Sequence, residues 1–163
     1  MKKFLCVLLI LTSVACTFSC NKSVIYRDDL SLSDLTETVR GGLNHPIQYS
    51  RAEKNYLSEY FSTPEFVSEQ DIYFASDGNN INEFGLFRVT EGNAEEMENH
   101  LVSYLSKSFE KNREFYDSYI PEETAKLRDA EVRRFGNYVA YAILDRDSKS
   151  RFFSAIEDKL TKK

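Results

Sequence analysis

The most reactive side chains in this sequence are three cysteines, all within the first 20 residues. Cys6, Cys16 and Cys20 are followed by no further cysteine. A thiolate can form a disulfide, attack a substrate, bind a metal or be acylated. Because none of these thiols lies beyond residue 20, the remaining sequence has neither a disulfide framework nor a cysteine nucleophile.

The segment that carries these cysteines has the layout of an export signal. Lys2 and Lys3 precede an apolar run from Phe4 to Leu11, and small residues then lead to Cys20. The run is shorter than the ~20 residues of a membrane-spanning helix. We therefore predict that residues 1–19 form a signal peptide and that the rest of the chain is exported.

A cysteine that follows a small residue at the end of such a signal is similar to the bacterial lipobox, whose thiol is acylated. Thr17-Phe18-Ser19-Cys20 leaves a leader of ordinary length, whereas Ser13-Val14-Ala15-Cys16 has more typical small residues but a short leader. We predict lipid attachment at Cys20, with Cys16 as the alternative. A plain secretory signal cut near Ala15 or Ser19 is a third interpretation. The lipid predicts a protein of the cell envelope, membrane-anchored on the extracytoplasmic side.

The other side chains that could bind a metal or transfer a proton do not form a recognised metal-binding or catalytic motif. His45 and His100 are the only histidines, and neither has a partner at metal-ligand spacing. Glu95, Glu96 and Glu98 lie at the start of a predicted helix, where the helix dipole favours carboxylates. We predict no metal site and no catalytic residues, with a pair of acidic residues in a cleft as the alternative.

Phosphate and cofactor motifs are also missing from the sequence. The glycines at positions 85, 92 and 136 are isolated, and no following Lys-Ser or Lys-Thr completes a phosphate-binding loop. No Gly-x-Ser-x-Gly motif occurs. We predict no cofactor.

The charge of the chain argues against a nucleic-acid partner. The formal net charge is -5, and it becomes -7 when Lys2 and Lys3 leave with the signal peptide. Nucleic acids bind to clustered Lys and Arg. Lys159, Lys162 and Lys163 are interpreted as an ordinary solvated helix end.

The aromatic content offers a candidate contact surface. The chain has 10 tyrosines and 12 phenylalanines but no tryptophan, and most of these rings should be core. Tyrosine suits surfaces that are half apolar and half polar. We predict that Tyr116, Tyr119 and Tyr138 form an exposed surface for a glycan or a protein partner.

Periodicity and turn signals place the elements of one domain over residues 31–163, after a polar tether over 20–30. The first helix is predicted at about 32–42 behind Ser31 or Ser33, and the second at Tyr56 to Phe61 behind a Ser50–Glu53 capping box. The third runs from an Asn93–Glu96 capping box to about Tyr116. The C-terminal helix is capped by Asp147 or Ser148 and should bury Phe152, Phe153, Ile156 and Leu160. Strands are predicted at 66–75, 81–89, 128–135 and 138–144, paired as hairpins around 76–80 and Gly136-Asn137. A short turn or helix over Pro121 to Lys126 precedes the third strand.

These elements predict a two-layer α+β fold. Its four-stranded antiparallel sheet would consist of two ββα-like halves, with helices on one face and the N-terminal helices in front. Such a sheet lets each helix bury one apolar stripe.

Four segments of the sequence carry a resemblance to a known family: Glu83-Phe84-Gly85-Leu86-Phe87-Arg88-Val89, the long helix after it, Tyr119-Ile120-Pro121-Glu122 and Gly136-Asn137-Tyr138-Val139. They resemble the DUF4358 family of bacterial lipoprotein domains. The resemblance covers about Ser31 to Leu160 and implies an exported lipoprotein domain. The function of that family is unknown, so it implies no catalytic residues.

The sequence thus predicts a lipid-anchored envelope protein that is a non-enzymatic binding or structural module. Its expected partners are the membrane, through the N-terminal lipid, and another envelope protein or a small ligand. The alternative is a hydrolase that acts on envelope polymers with an acidic residue pair.

Overall fold

A computed structural model of the chain describes residues 24–43, 47–53, 61–77 and 80–161. Within these ranges it contains α1 (Leu32–Gly42), β1 (Tyr49–Arg51), β2 (Val67–Ala75), β3 (Glu83–Val89), α2 (Ala94–Tyr119), α3 (Pro121–Arg128), β4 (Glu131–Phe135), β5 (Tyr138–Ile143) and α4 (Arg146–Leu160). None of the described helices is long and apolar enough to cross a membrane. The predicted signal peptide and the lipid-attachment residues Cys16 and Cys20 lie outside the described residues.

The strands form one antiparallel sheet in the order β1-β2-β3-β5-β4. The α+β class and the two predicted hairpins are confirmed. The turn between β4 and β5 is Gly136-Asn137, and Gly136 has a φ of 63°, a conformation that glycine adopts without strain. The sheet has five strands rather than four, because Tyr49–Arg51 adds β1 along the edge of β2.

The added strand changes the role of Ser50. The sequence predicted this residue as the start of a helix capping box, but its hydroxyl lies 2.8 Å from that of Ser76 and its backbone is in the β1 ladder. The body of the second predicted helix falls on residues 54–60, outside the described residues. Of the two N-terminal helices, α1 therefore has the predicted bounds and the other is not confirmed.

Helices cover both faces of the sheet, so the predicted two-layer arrangement is wrong. All six residues of β5 are buried, and their side chains alternate between two apolar clusters. One cluster lies under α1 and α4, and the other lies under α2 and α3. Phe153, which the sequence predicted to be buried, lies in the first cluster, and Leu101 of α2 is buried in the second. The two ββα units send α2 and α4 to opposite faces and are not copies of one arrangement.

Of the other three predicted helix caps, one is confirmed and two differ. Ser31 caps α1 as expected, since its hydroxyl accepts a hydrogen bond from the Asp34 backbone N–H at 3.1 Å. The Asn93 side chain makes no cap hydrogen bond to α2 and donates instead to the Thr90 hydroxyl at 2.8 Å. Asp145, and not Asp147 or Ser148, caps α4.

Residues 26–30, which were predicted to belong to a polar tether, lie against the domain as an N-terminal strap. The Arg27 backbone N–H donates to the Leu160 carbonyl at 2.8 Å, and Tyr26 forms an antiparallel bridge with Thr161. The Tyr138 hydroxyl donates to the Leu30 carbonyl at 2.6 Å. These contacts hold the strap at the β4–β5 turn and the C-terminal end of α4. Residues 20–23 lie outside the described part of the chain.

Candidate functional site

Three aromatic rings cluster at the C-terminal end of α2, and we call Phe115, Tyr116 and Tyr119 the aromatic end. The centroids of the Phe115 and Tyr119 rings are 5.0 Å apart, and those of Phe115 and Tyr116 are 5.6 Å apart. The Phe115 side chain is 56% exposed and that of Tyr119 is 73% exposed, whereas Tyr116 is half-buried. Two large apolar faces are therefore presented to solvent side by side.

A pocket of about 270 Å³ lies between the aromatic end and the tips of β2 and β3. Its lining includes Phe115 and Tyr116 from the helix and Asn80, Asn82 and Glu83 from the segment that leads into β3. The pocket thus combines aromatic rings with amide and carboxylate groups. Such a combination can bind a ligand or side chain that is apolar in one part and polar in another.

The Glu83 carboxylate is held in place by two tyrosines from other elements. The Tyr104 hydroxyl donates to its Oε1 atom at 2.8 Å, and the Tyr141 hydroxyl donates to the same atom. Burial raises the pKa of Tyr116, and the negative charge of Glu83 raises it further. Tyr116 is thus neutral at ordinary pH, with its hydroxyl able to donate a hydrogen bond.

A second polar cluster fixes α3 to the start of β3. Lys126 forms an ion pair of 2.7 Å with Glu123 and donates to the Asn82 Oδ1 atom at 3.0 Å. The Asn82 amide donates in turn to the Tyr49 hydroxyl at 3.1 Å, and the Ile81 backbone N–H donates to Glu123 at 3.1 Å. These bonds link α3, β1 and the wall of the pocket through Asn82, whose side chain is buried.

Tyr138 does not belong to the predicted aromatic surface. Its side chain is only 1% exposed and lies in the cluster under α1 and α4, on the opposite face of the sheet from Tyr116. β5 is the strand buried on both faces, so none of its side chains reaches the surface. The predicted set is therefore reduced to Tyr116 and Tyr119, and the structure adds Phe115.

A larger groove of about 550 Å³ lies on the other face, between α1 and β2. No local pattern in the sequence predicts this groove, because its walls come from separate segments. Charged and polar side chains dominate it: Ser33, Thr36, Glu37, Arg40, Arg51, Glu69, Gln70 and Asp71, with Leu32 and Tyr73. Glu69 and Asp71 both line this groove, since alternate residues of a strand share a face.

Those two carboxylates are already engaged. The Glu69 Oε1 atom lies 2.9 Å from the Arg88 guanidinium, and Asp71 forms an ion pair with Arg51. The Thr36 hydroxyl donates to the Asp71 Oδ2 atom at 2.9 Å. An acid–base pair needs carboxyl groups that can reach a substrate, and here each carboxylate already contacts an arginine. This geometry does not favour the hydrolase alternative.

His100, Glu95 and Glu98 have structural partners. The His100 ring packs edge-on against Phe61 at 5.3 Å between centroids. Glu95 and Glu98 both form ion pairs with Arg134. In the described ranges, no three histidine, cysteine or carboxylate side chains are grouped to hold a metal ion. His45 lies outside those ranges.

Comparison of the chain with protein-family models, with curated proteins and with solved structures finds no match. The resemblance to DUF4358 stays a prediction, and the functional inference depends on the geometry of the protein itself.

Proposed function

We propose that this protein is a lipid-anchored binding module of the cell envelope and that the aromatic end of α2 is its partner-binding surface. The observation that carries the proposal is the exposed Phe115–Tyr119 ring pair beside the 270 Å³ pocket. Among the described residues, these two are the only strongly exposed aromatic side chains. Exposed apolar faces next to polar groups are typical of contact surfaces.

The rigidity of the site supports binding. Glu83 is oriented by two tyrosine hydroxyls, and Asn82 is fixed by Tyr49 and Lys126. Side chains that are already ordered lose less conformational entropy when a partner binds. The proposed partner is an envelope protein or small ligand that places an apolar group on the rings and a hydrogen-bonding group in the pocket.

The lipid anchor is supported by the leader sequence, and an anchor at Cys20 would lie close along the chain to the strap. Only residues 21–25 separate the predicted acylated cysteine from Tyr26, the first strap residue that pairs with the domain. An anchored domain meets its partners at a membrane surface, where a modest contact area is sufficient because both molecules are confined.

The binding surface can be tested by crosslinking in the native membrane. We expect a Phe115→Ser, Tyr119→Ser double variant to capture at most about one tenth of the partner that the wild-type protein captures, because both apolar faces disappear. The stability of the fold should change little, since neither side chain is buried. Capture is measured by mass spectrometry after in vivo crosslinking and normalised to the amount of folded protein.

Val102→Ser is the matched control, since Val102 is on the same helix and 50% exposed but lies outside the aromatic end. It should leave capture unchanged. Equal capture by the double variant and the wild type would exclude the aromatic end as the binding surface.

A further inference from the structure

We propose that the groove between α1 and β2 is a second binding site, which takes a small ligand bearing an oxyanion, a carboxylate or a phosphate, on the guanidinium groups of Arg40 and Arg51. It lies on the opposite face of the sheet from the aromatic end and does not depend on the function proposed for that surface. The groove volume of about 550 Å³ is within the range of small-molecule sites.

Asp71 positions the first guanidinium. Its side chain is buried, and its Oδ2 atom accepts the Thr36 hydroxyl. The Oδ1 atom accepts no hydrogen bond of good geometry and is compensated by the charge of Arg51. The buried negative charge therefore keeps the Arg51 guanidinium close to this side of the groove.

Arg51 keeps donors available for a ligand. A guanidinium has five N–H groups, and the recorded contact with Asp71 is through one terminal nitrogen. The Arg51 side chain is 65% exposed, so the other nitrogens face solvent at the groove. Arg51 can therefore bind an oxyanion while it remains paired with Asp71.

Arg40 supplies the second guanidinium from the last turn of α1. Its Cζ atom lies 4.9 Å from the centroid of the Tyr73 ring, which orients the guanidinium through a cation–π contact. Within the described ranges, Arg40 forms no ion pair with a carboxylate. Its positive charge at the groove is thus not cancelled by a direct partner in this part of the chain.

The acidic residues of the groove do not oppose an anion as strongly as their number suggests. Asp71 is neutralised by Arg51, and Glu69 by Arg88; Glu69 also accepts the Leu32 backbone N–H at 3.2 Å. Glu37 is exposed to water, which screens its charge. Planar guanidinium groups match the geometry of carboxylate and phosphate oxygens, so these two chemistries fit the groove best.

The test uses the full processed chain in detergent micelles and two probes, inorganic phosphate and malonate. The ¹⁵N–¹H signals of the arginine Nε groups are followed by NMR at constant ionic strength. We expect saturable shifts for Arg40 and Arg51 with at least one probe. Saturation by phosphate alone identifies a phosphate ligand, and saturation by malonate alone identifies a carboxylate.

Three variants make the assignment specific. Arg40→Gln breaks no recorded ion pair and should weaken probe binding at least tenfold. Arg51→Lys keeps the positive charge beside Asp71 but removes the planar guanidinium group. It should also weaken probe binding while the protein stays folded. Arg113→Gln, an exposed change on α2, should have no effect. Shifts that rise linearly without saturation, or equal affinity in Arg40→Gln and the wild type, would overturn the proposal.

Discussion

At the scale of single residues, Gly85 makes room for a tyrosine ring that positions Glu83 in the pocket beside the aromatic end. Gly85 pairs with Tyr141 across β3 and β5, and the Tyr141 ring lies over its Cα atom. A Cβ atom at this position would overlap Cε1 of that ring and come within 3.0 Å of the Phe87 ring. The absence of a side chain therefore allows the Tyr141 hydroxyl to reach Glu83.

We predict that Gly85→Ala destabilises the protein by about 1–3 kcal/mol, the usual cost of overpacking a close-packed core. The free energy of unfolding from urea denaturation measures this loss. Gly41→Ala is the matched control, because a Cβ there meets no atom within 4 Å and alanine favours a helix. Gly41→Ala should be neutral or slightly stabilising; an equally neutral Gly85→Ala would show that the Tyr141 ring can move aside.

At the scale of elements, the start of α4 shows how a short charged segment joins a strand to a helix. Asp145-Arg146-Asp147 follows β5 after a single residue, Leu144. The Asp145 Oδ1 atom accepts the backbone N–H groups of Asp147 and Ser148 at 3.1 and 2.9 Å. The cap lets α4 begin immediately after the strand and cross to the face that it shares with α1.

We predict that Asp145→Ala lowers the free energy of unfolding by about 1 kcal/mol, since two N–H groups at the helix start lose their acceptor. Asp145→Asn keeps an acceptor oxygen and should retain nearly all of the stability. Thermal or urea unfolding of the two variants side by side measures the difference. If both variants unfold like the wild type, water replaces the cap and the side chain is not needed to start α4.

At the scale of the whole molecule, the strap and the aromatic end lie at opposite ends of the sheet. The strap contacts the β4–β5 turn, and the Val89 backbone N–H donates to Asn137 of the same turn at 2.9 Å, so the C-terminal end of β3 is nearby. The aromatic end adjoins Ile81, Asn82 and Glu83 at the other end of β3. α2 spans this distance, and its 26 residues correspond to about 39 Å.

An anchor at Cys20 would therefore hold the strap near the bilayer and direct the aromatic end away from it. Residues 21–25 can extend by at most about 17 Å. For the acylated full chain, we predict strong energy transfer from a fluorophore on Asp158→Cys, near the strap, to acceptor lipids, and weak transfer from one on Ser118→Cys, near the aromatic end. Fluorescence lifetimes in reconstituted vesicles give both values.

Lipid attachment and the orientation of the domain are tested separately. Cys20→Ala should release the protein from the membrane fraction or leave it unprocessed, and mass spectrometry of the wild type should find the acyl chains on Cys20. Chains on Cys16 would identify that residue as the anchor, and their absence from both would exclude the lipid. Equal energy transfer from Asp158→Cys and Ser118→Cys in an acylated protein would contradict the predicted orientation but not the lipid attachment.

The sequence by itself determined the features that depend on neighbouring residues. The bounds of α1, the two hairpins, the Gly136-Asn137 turn and the aromatic stretch at the end of α2 all follow from periodicity and turn chemistry within a few residues. The uninterrupted apolar run from Tyr138 to Leu144 was also a usable signal, because strands buried on both faces lack polar alternation. It would have predicted helices on both faces.

The tertiary structure alone decided the features that join distant segments. Residues 26–30 pack on the end of α4, Tyr49–Arg51 pairs with β2, and Tyr138 turns away from Tyr116. Asp71 meets Thr36 and Arg51 from two other elements to shape the groove. Local propensities are the same whether or not such contacts form. The contacts are selected by the burial of apolar area and the pairing of buried polar groups over the whole fold.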